Sequence, residues 1–288
     1  MSEAAIGIIG GSGLYEMEGL KEVKEVKVET PFGDPSDLYI SGILDDVKVA
    51  FLARHGRGHR LLPTEINYRA NIFGMKKLGV ERIISVSAVG SMKKEIKPGE
   101  LVIPEQFYDH TKRRISTFFG EGIVAHVAFA DPICSELKDI LYRAGKNIGT
   151  VVVHQGGTYL CIEGPQFSSR GESNIYRSWG VDIIGMTNVT EAKLAREAEI
   201  CYTTLAMATD YDCWHIEEES VTVEAILQIL NKNVEISKKI IRNAVSHIPE
   251  DKGCQCGHSL KNAIITPSES IPQETKNRLA PIIGKYVN

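Results

Sequence analysis

The chain has no apolar stretch long enough to cross a membrane and no large excess of either charge. Its 288 residues carry 33 basic and 37 acidic side chains, which gives a formal net charge of −4. No broad basic field therefore points to nucleic acid or to an acidic membrane surface. Nowhere do about 18 apolar residues follow one another, and no basic segment precedes the apolar residues near the start. We expect a cytoplasmic globular protein that acts on small molecules.

The six cysteines are spread along the chain rather than concentrated in a short segment. This distribution is typical of buried thiols. Cys254 and Cys256 are one residue apart, but no second pair with zinc-finger spacing accompanies them. On spacing alone, we expect no metal site.

Short apolar runs rich in valine and isoleucine alternate with stretches of helical periodicity. The runs cover residues 6–9, 47–53, 82–87, 101–103, 151–153, 181–186 and 200–208, and the helical stretches cover 67–78, 132–144, 172–179, 191–197 and 221–244. This alternation predicts an α/β fold with a central mixed, mostly parallel sheet flanked by helices. No linker or internal repeat divides the chain, so we expect one domain over residues 1–288. The more polar tail from about residue 251 is expected over the surface or against another subunit.

Two carboxylates follow the long apolar run 200–208. Asp210 and Asp212 stand at the expected carboxyl end of a buried strand, where open α/β sheets bind ligands. A carboxyl group in such a place can stay protonated and donate its proton to a leaving group. The alternative is a solvated acidic turn.

Three further strand ends carry groups that suit an anion. The glycine-rich turn at residues 10–13 lets backbone amides approach an anion, although it matches neither the dinucleotide fingerprint nor the P-loop. Residues 85–91 end another apolar run with small side chains and hydroxyls. The loop at residues 53–60 contains three arginines and two histidines but no carboxylate: Arg54, Arg57, Arg60, His55 and His59. That charge favours an oxyanion over a divalent cation.

Each of these stretches alone also fits a ligand-free turn or a solvated basic loop, but together they predict an anionic substrate. Phe167 and Met186 could hold a flat base by stacking and soft apolar contact. The alternative for both is ordinary core packing.

Taken together, these motifs resemble the trimeric purine nucleoside phosphorylases and, within them, the 5′-methylthioadenosine phosphorylases. The resemblance runs from about residue 6 to about residue 245, with the motifs in the family's order. They are GGSG at 10–13, TPFG at 30–33, ARHG at 53–56, NYRAN at 67–71, EGP at 163–165, FSSR at 167–170, MT at 186–187 and ATDYDCW at 208–214. The resemblance implies a phosphorolysis reaction that uses inorganic phosphate as co-substrate and requires neither an organic cofactor nor a metal.

The resemblance also implies roles for individual residues. The positions implied for phosphate are Ser12, Arg54, His55, Ser87, Ala88 and Thr187, of which Thr187 is shared with the nucleoside. Those implied for the purine and ribose are Phe167, Met186, Thr209, Asp210 and Asp212. Asp210, His55 and Ser87 are the catalytic candidates. In the 6-oxopurine branch an asparagine stands at the position of Asp210, so a carboxyl group here implies a 6-aminopurine.

Two further implications concern the 5′ end of the nucleoside. Val223, Ile226 and Leu227 would cover the 5′ substituent, and their apolar side chains suit a methylthio group; core packing is the alternative. His126 matches a histidine that a neighbouring subunit lends to this end of the site, so the resemblance implies a homotrimer or a dimer of trimers.

The leading hypothesis is therefore phosphorolysis of 5′-methylthioadenosine, with adenosine or inosine and guanosine as alternative substrates. From other classes, a dinucleotide oxidoreductase is disfavoured by the failed glycine fingerprint, and a nucleotide-binding module without catalysis remains an alternative. The resemblance includes heat-stable archaeal members that bridge thiols in the cytoplasm. It thereby suggests a disulfide between Cys134 and Cys201, with two reduced core thiols as the alternative.

Overall fold

The computed structural model describes residues 3–14, 16–215 and 223–287, with the side chains of residues 12 and 223–227 left undescribed. The strands in these ranges are β1 (Ile6–Gly10), β2 (Leu20–Val26), β3 (Tyr39–Leu44), β4 (Val47–Ala53), β5 (Arg82–Ser91), β6 (Leu101–Ile103), β7 (Gln106–His110), β8 (Val153–Gln155), β9 (Thr158–Ile162), β10 (Ile183–Gly185) and β11 (Cys201–Asp210). The helices are α1 (Tyr68–Lys77), α2 (Ser135–Ile148), α3 (Arg170–Ser178), α4 (Asn188–Glu197), α5 (Val223–Val245) and α6 (Gln273–Ile283).

The strands form one mixed sheet with the order β2-β3-β4-β1-β5-β10-β9-β7. A branch leaves this path at β5, where β11 pairs with β5 and carries β6 and then β8. Among the described strands, parallel pairings outnumber antiparallel ones. This confirms the predicted α/β fold with a mixed, mostly parallel sheet. None of the helices in the described ranges has the length and apolar character that a membrane span requires.

The branching at β5 determines where functional groups gather. β5 pairs in parallel with β1 on one edge and with β11 on the other, and β1 pairs in parallel with β4. The carboxyl ends of these four strands therefore meet at one side of the sheet, the usual place for ligands in such folds. We call this side the carboxyl edge.

Two helical layers cover the two faces of the sheet. On one face, Ile9 and Ile83 belong to a core shared with α1, α4 and α6. On the other, Ile8 and Ile84 belong to a core shared with α2 and α5. Successive residues of a strand point to opposite faces, so strands covered on both sides are apolar throughout. For this reason, the apolar runs at residues 6–9 and 200–208 could be predicted from the sequence to be buried strands.

Among the described elements, four strands and one helix were not predicted from the sequence: β2, β3, β7, β9 and α6. β2 is largely exposed and rich in charge, as an edge strand can be. In α6, Leu279, Ile282 and Ile283 are buried with helical spacing, but Pro281 lies inside the helix and polar residues surround it.

The tail does not merely lie over the surface, because it contributes apolar side chains to the core of its own chain. The tail is also anchored by Glu199, a buried residue two positions before the first residue of β11. Oε1 of Glu199 accepts hydrogen bonds from the Tyr286 hydroxyl at 2.6 Å and the Leu260 N–H at 3.0 Å. The Lys285 ammonium lies 2.5 Å from the other oxygen.

Candidate active site

The glycine-rich turn and the basic loop lie side by side at the carboxyl edge. β1 ends at Gly10, whose carbonyl accepts a hydrogen bond from the Arg54 N–H at 2.9 Å. A Cβ at Gly10 would lie 2.3 Å from the end of the Leu14 side chain, which would have to move to accommodate it. Ser12 begins the short 3-10 helix that follows; the predicted phosphate contact of its side chain lies outside the described part of the chain.

Arg54 is buried and forms a bidentate ion pair with a carboxylate from a distant helix. Its Nε lies 2.5 Å and its Nη2 3.1 Å from the two oxygens of Glu191 on α4. Nη1 donates to the Val86 carbonyl at 2.8 Å, and Nη2 also donates to the Ser85 hydroxyl at 2.5 Å. Burial acts to lower the pKa of Arg54, but the Glu191 carboxylate outweighs it and the pKa is raised. Within the described part of the chain, these contacts occupy four of the five guanidinium N–H groups and leave one on Nη1.

The basic loop is less positive than its sequence suggests. Arg57 pairs with Glu25 at 2.6 Å and with Asp37 at 3.4 Å, and Arg60 donates to the Ser36 carbonyl at 2.8 Å. The sequence contains no carboxylate within the loop, but the fold brings carboxylates to it from elsewhere. An anion bound here would therefore depend on directed N–H and O–H donors more than on net charge.

A network of buried polar side chains supports this end of the edge. The Glu191 carboxylate accepts hydrogen bonds from the Ser85 and Tyr202 hydroxyls at 2.7 and 2.9 Å. The amide nitrogen of Asn188 donates to those same two hydroxyl oxygens at 2.7 and 2.8 Å. Asn188 Oδ1 accepts from the Ser87 hydroxyl at 2.7 Å and lies 3.5 Å from the Thr187 hydroxyl. Two hydroxyls predicted to bind phosphate thus share one internal acceptor.

Ala88 marks an opening in the sheet. It is exposed, although the residues on both sides of it in β5 are buried. Its pairing with β1 has already ended, because the last register pair is Ile9 with Ser85. The middle of β5 therefore faces solvent where a ligand could lie.

His55 is neutral at physiological pH. Burial lowers its pKa to about 4. Its Nδ1 lies 2.8 Å from the Leu61 carbonyl, which can only accept, so Nδ1 carries the proton. Nε2 is then the acceptor, and it suits a hydroxyl group or a protonated phosphate oxygen. The ring stacks on His59, with the centroids 4.3 Å apart.

The carboxylates at the end of β11 form the other half of the edge. The pairing of β11 with β5 shifts by one residue between Ala208 and Asp210, so that Asp210 lies opposite Gly90. A Cβ at Gly90 would lie 3.2 Å from Asp210 Oδ1. The bulge turns the Asp210 side chain toward the place where β5 has no side chain of its own.

The Asp210 carboxyl is suited to hold a proton. Burial, with a contribution from the negative charge of Asp212, raises its pKa. Oδ1 accepts from the Asp212 N–H at 2.9 Å. Oδ2 lies 2.7 Å from the Thr209 hydroxyl, which is also 3.3 Å from the Val89 carbonyl. A hydroxyl has one proton, so Thr209 can donate to Asp210 when the carboxyl is ionised and to Val89 when it is protonated.

Asp212 is held by α3. Its Oδ2 accepts a hydrogen bond from the Ser173 hydroxyl at 2.5 Å, and burial raises its pKa. Ser169 caps α3 with its side chain and forms a capping box with Glu172. The FSSR motif therefore starts the helix that positions Asp212.

Phe167 and Met186 lie on segments that Arg114 joins together. Arg114 pairs with Glu163 at 3.0 Å and donates to the carbonyls of Glu163 at 2.7 Å and Met186 at 3.0 Å. Met186 is partly buried, whereas the Phe167 side chain is 84% exposed. For Phe167, core packing is excluded within the single chain.

Four residues are predicted to contact the 5′ end of the nucleoside: Val223, Ile226, Leu227 and His126. The side chains of Val223, Ile226 and Leu227, at the start of α5, lie outside the described residues. The His126 side chain is exposed, and the backbone N–H of His126 donates to the Ala263 carbonyl at 2.9 Å. Its described contact is thus with the tail.

Sequence reasoning missed Glu191, Asn188 and Ser173. Glu191 and Asn188 lie three positions apart on α4, and both are buried. The only available signal was indirect, because a buried arginine requires a carboxylate partner from somewhere in the chain.

Comparison with known proteins shows the family to which the chain belongs. The family model described as "Phosphorylase superfamily" matches residues 5–246. The chain belongs to the phosphorylase superfamily. An S-methyl-5′-thioadenosine phosphorylase from Geobacter sulfurreducens is 62% identical over 286 residues, covering 99% of this chain and 100% of that protein. One from Thermofilum pendens is 48% identical and covers 92% of this chain and 100% of that protein.

Solved phosphorylase structures share the fold. A methylthioadenosine phosphorylase from an Antarctic soil metagenomic library has a TM-score of 0.95 and 52% identity, covering 98% of this chain and 99% of that one. A methylthioadenosine phosphorylase from Schistosoma mansoni in complex with adenine has a TM-score of 0.83 and 38% identity, covering 89% and 96%. The family resemblance seen in the sequence and the nucleoside phosphorylase-like fold are thereby confirmed.

Proposed function

We propose that the protein catalyses phosphorolysis of 5′-methylthioadenosine, giving adenine and 5-methylthioribose 1-phosphate. The observation that best supports this reaction is the Asp210 carboxyl at the end of β11, because its raised pKa suits a group that protonates a departing base. The relatives named S-methyl-5′-thioadenosine phosphorylase support the same reaction. We also propose that this pentosyl transfer occurs in the cytoplasm.

In the proposed reaction the glycosidic bond breaks first and the ribose gains oxocarbenium character. Phosphate beneath the ring stabilises that positive charge and then captures the anomeric carbon. Arg54 would contribute its remaining N–H. Ser87 and Thr187 would turn their hydroxyls from Asn188 Oδ1 to phosphate oxygens, and the backbone at Ala88 would line the opening.

His55 would contact the same ligands in its neutral form. With the proton on Nδ1, its Nε2 can accept from a ribose hydroxyl or from monoprotonated phosphate. Neither an organic cofactor nor a metal takes part in the proposed chemistry, since phosphate and side chains supply every charge and proton.

The base preference follows from Asp210. Its carboxyl can accept a hydrogen bond from the 6-amino group and donate its own proton to the neighbouring ring nitrogen. An amide at this place would suit a 6-oxopurine instead. Phe167 and Met186 would contact the faces of the base, and Thr209 and Asp212 would position Asp210 and the ribose.

We further propose a homotrimer or a dimer of trimers in which His126 completes a neighbour's site. Exposed apolar side chains lie on the same segments as His126 and its tail partner: Ile115, Val124 and Ile265, which are 60%, 50% and 60% exposed. Light scattering on the purified protein tests this. A fully active monomer would contradict it.

Release of the free base from 5′-methylthioadenosine, adenosine and inosine, each assayed with and without phosphate, tests the proposed activity; the base is adenine for the first two and hypoxanthine for inosine. We expect release only with phosphate and the highest kcat/KM for 5′-methylthioadenosine. Phosphate-independent release would indicate a hydrolase. Preference for inosine would contradict the role given to Asp210, and binding without turnover would indicate a nucleotide-binding module.

A further inference from the structure

Four cysteines from three parts of the chain converge near the amino end of β11. Cys134 is the N-cap residue of α2, Cys201 is the first residue of β11, and Cys254 and Cys256 belong to the tail. Their four sulfur atoms all lie within 4.8 Å of one another. We call this group the cysteine cluster; all of its members are free thiols.

The mutual spacing of the sulfurs is informative. Cys201 Sγ and Cys254 Sγ are 3.3 Å apart, well beyond the disulfide bond length of about 2.05 Å. Around a tetrahedral zinc ion with Zn–S distances of about 2.3 Å, sulfur atoms lie about 3.8 Å from one another. Two disulfides would require only that each sulfur be close to one partner. A shared ion requires that all four be close together, as they are here.

The surroundings suit thiolates that share a cation. Cys134 lies at the N-terminus of a helix of 14 residues, where the helix dipole favours negative charge. The cluster adjoins apolar side chains, among them Leu137 and Leu205, which favour a thiophilic ion over one that binds oxygen ligands.

We propose that Cys134, Cys201, Cys254 and Cys256 bind one zinc ion in a tetrahedral structural site. With four protein ligands the ion has no open position, so its role is to fasten the tail to the sheet rather than to take part in phosphorolysis. The expectation of no metal site relied on sequence spacing. In the fold, the second pair of ligands comes from two separate elements that each contribute one cysteine.

Elemental analysis of the native protein tests the proposal directly. The protein is purified under reducing conditions without chelator, saturated with zinc and dialysed; we expect about one zinc per chain. Alkylation of the folded, zinc-loaded protein should spare the four cluster cysteines until a strong chelator is added. Replacement by Co²⁺ should give the intense visible absorption of tetrahedral cobalt bound to thiolates.

A variant pair assigns the ion to this cluster. The double variant Cys254→Ser/Cys256→Ser should lose the bound zinc, whereas Cys161→Ala, which changes a core cysteine outside the cluster, should retain it. If the double variant does not fold, the zinc content and cobalt spectrum of the native protein still decide. Absence of retained zinc, free alkylation of the cluster in zinc-loaded protein, or an intact mass lower by four hydrogens, which reveals two disulfides, would each overturn the proposal.

Discussion

At one end of the carboxyl edge, Arg54 is paired with Glu191 inside a network of buried hydroxyls; at the other, Asp210 and Asp212 are held by hydroxyl and amide donors. We call these the arginine end and the acid end. The arginine end holds opposite charges that neutralise each other, so it is organised before any ligand binds. The acid end holds two groups whose pKa values are raised, so it can keep a proton. The contrast predicts that substitutions at the arginine end mainly affect stability and phosphate binding, and those at the acid end mainly affect turnover.

The strongest test of the contrast is Glu191→Ala, which leaves Arg54 buried without its partner. We expect the free energy of unfolding to fall by about 3–5 kcal/mol, measured by urea denaturation. The double variant Arg54→Met/Glu191→Leu should recover much of that loss, because it removes both charges, yet retain a high KM for phosphate. A single variant as stable as the parent would show that the pair is not part of the folded framework.

Asp210→Asn tests the acid end. We expect kcat for 5′-methylthioadenosine to fall about 100-fold or more, because the proton donor is lost, while the urea midpoint changes little. Activity on inosine can rise because the amide matches an oxopurine. Asp212→Asn is the matched control: it removes the neighbouring charge but keeps the donor, so its loss should be smaller. Equal losses in the two variants would refute the assignment of the proton to Asp210.

Phe167→Ala should weaken binding of the nucleoside without lowering the stability of the fold. Its side chain is 84% exposed, so the free energy of unfolding should change by less than about 0.5 kcal/mol. Loss of stacking on the base should raise KM for the nucleoside roughly 10-fold, with KM for phosphate unchanged. Steady-state kinetics with each substrate varied in turn measures this. An unchanged nucleoside KM would place the base elsewhere.

The smallest expected effect is on the pH dependence of the free energy of unfolding when His55 is replaced. Its pKa is about 4 in the folded chain and about 6.5 when unfolded. Below pH 6.5 the unfolded chain therefore binds a proton that the folded chain does not, and stability falls as the pH drops toward 4. His55→Asn should make this fall shallower in urea titrations in phosphate-free buffer. Parallel pH profiles for variant and parent would contradict the lowered pKa.

Local sequence was sufficient to place Asp210 and Asp212, but it did not reveal Ser173, which holds Asp212, or the partner of Arg54. Asp210 is the last residue of its own buried strand, so pattern and position together predicted its place. Arg54 and Glu191 are 137 residues apart, and a glutamate on a short helix is ordinarily counted as part of an exposed face. Sequence periodicity identifies which elements are buried, but it does not report which polar groups from separate elements meet inside.

The structure of the tail could not be predicted from the sequence for a related reason. α6 places three apolar side chains on the core among many polar ones, and Pro281 argues against a helix. Local sequence did not show the convergence of the cysteine cluster either, because its members come from the N-cap of α2, β11 and the tail; only the family resemblance brought two of them, Cys134 and Cys201, together. Such contacts depend on the three-dimensional path of the chain rather than on any local pattern.

The anchoring of the tail at Glu199 also has a mechanical meaning. β11 has 10 residues and is about 33 Å long; Glu199 and the cysteine cluster lie near its amino end, while Asp210 lies at its other end. A pulling force applied to the C-terminus would reach the contacts of Lys285 and Tyr286 with Glu199 before it reached the strand. In a single-molecule experiment we expect the tail to detach first, with the strand that carries the proton donor yielding only at a later and separate extension.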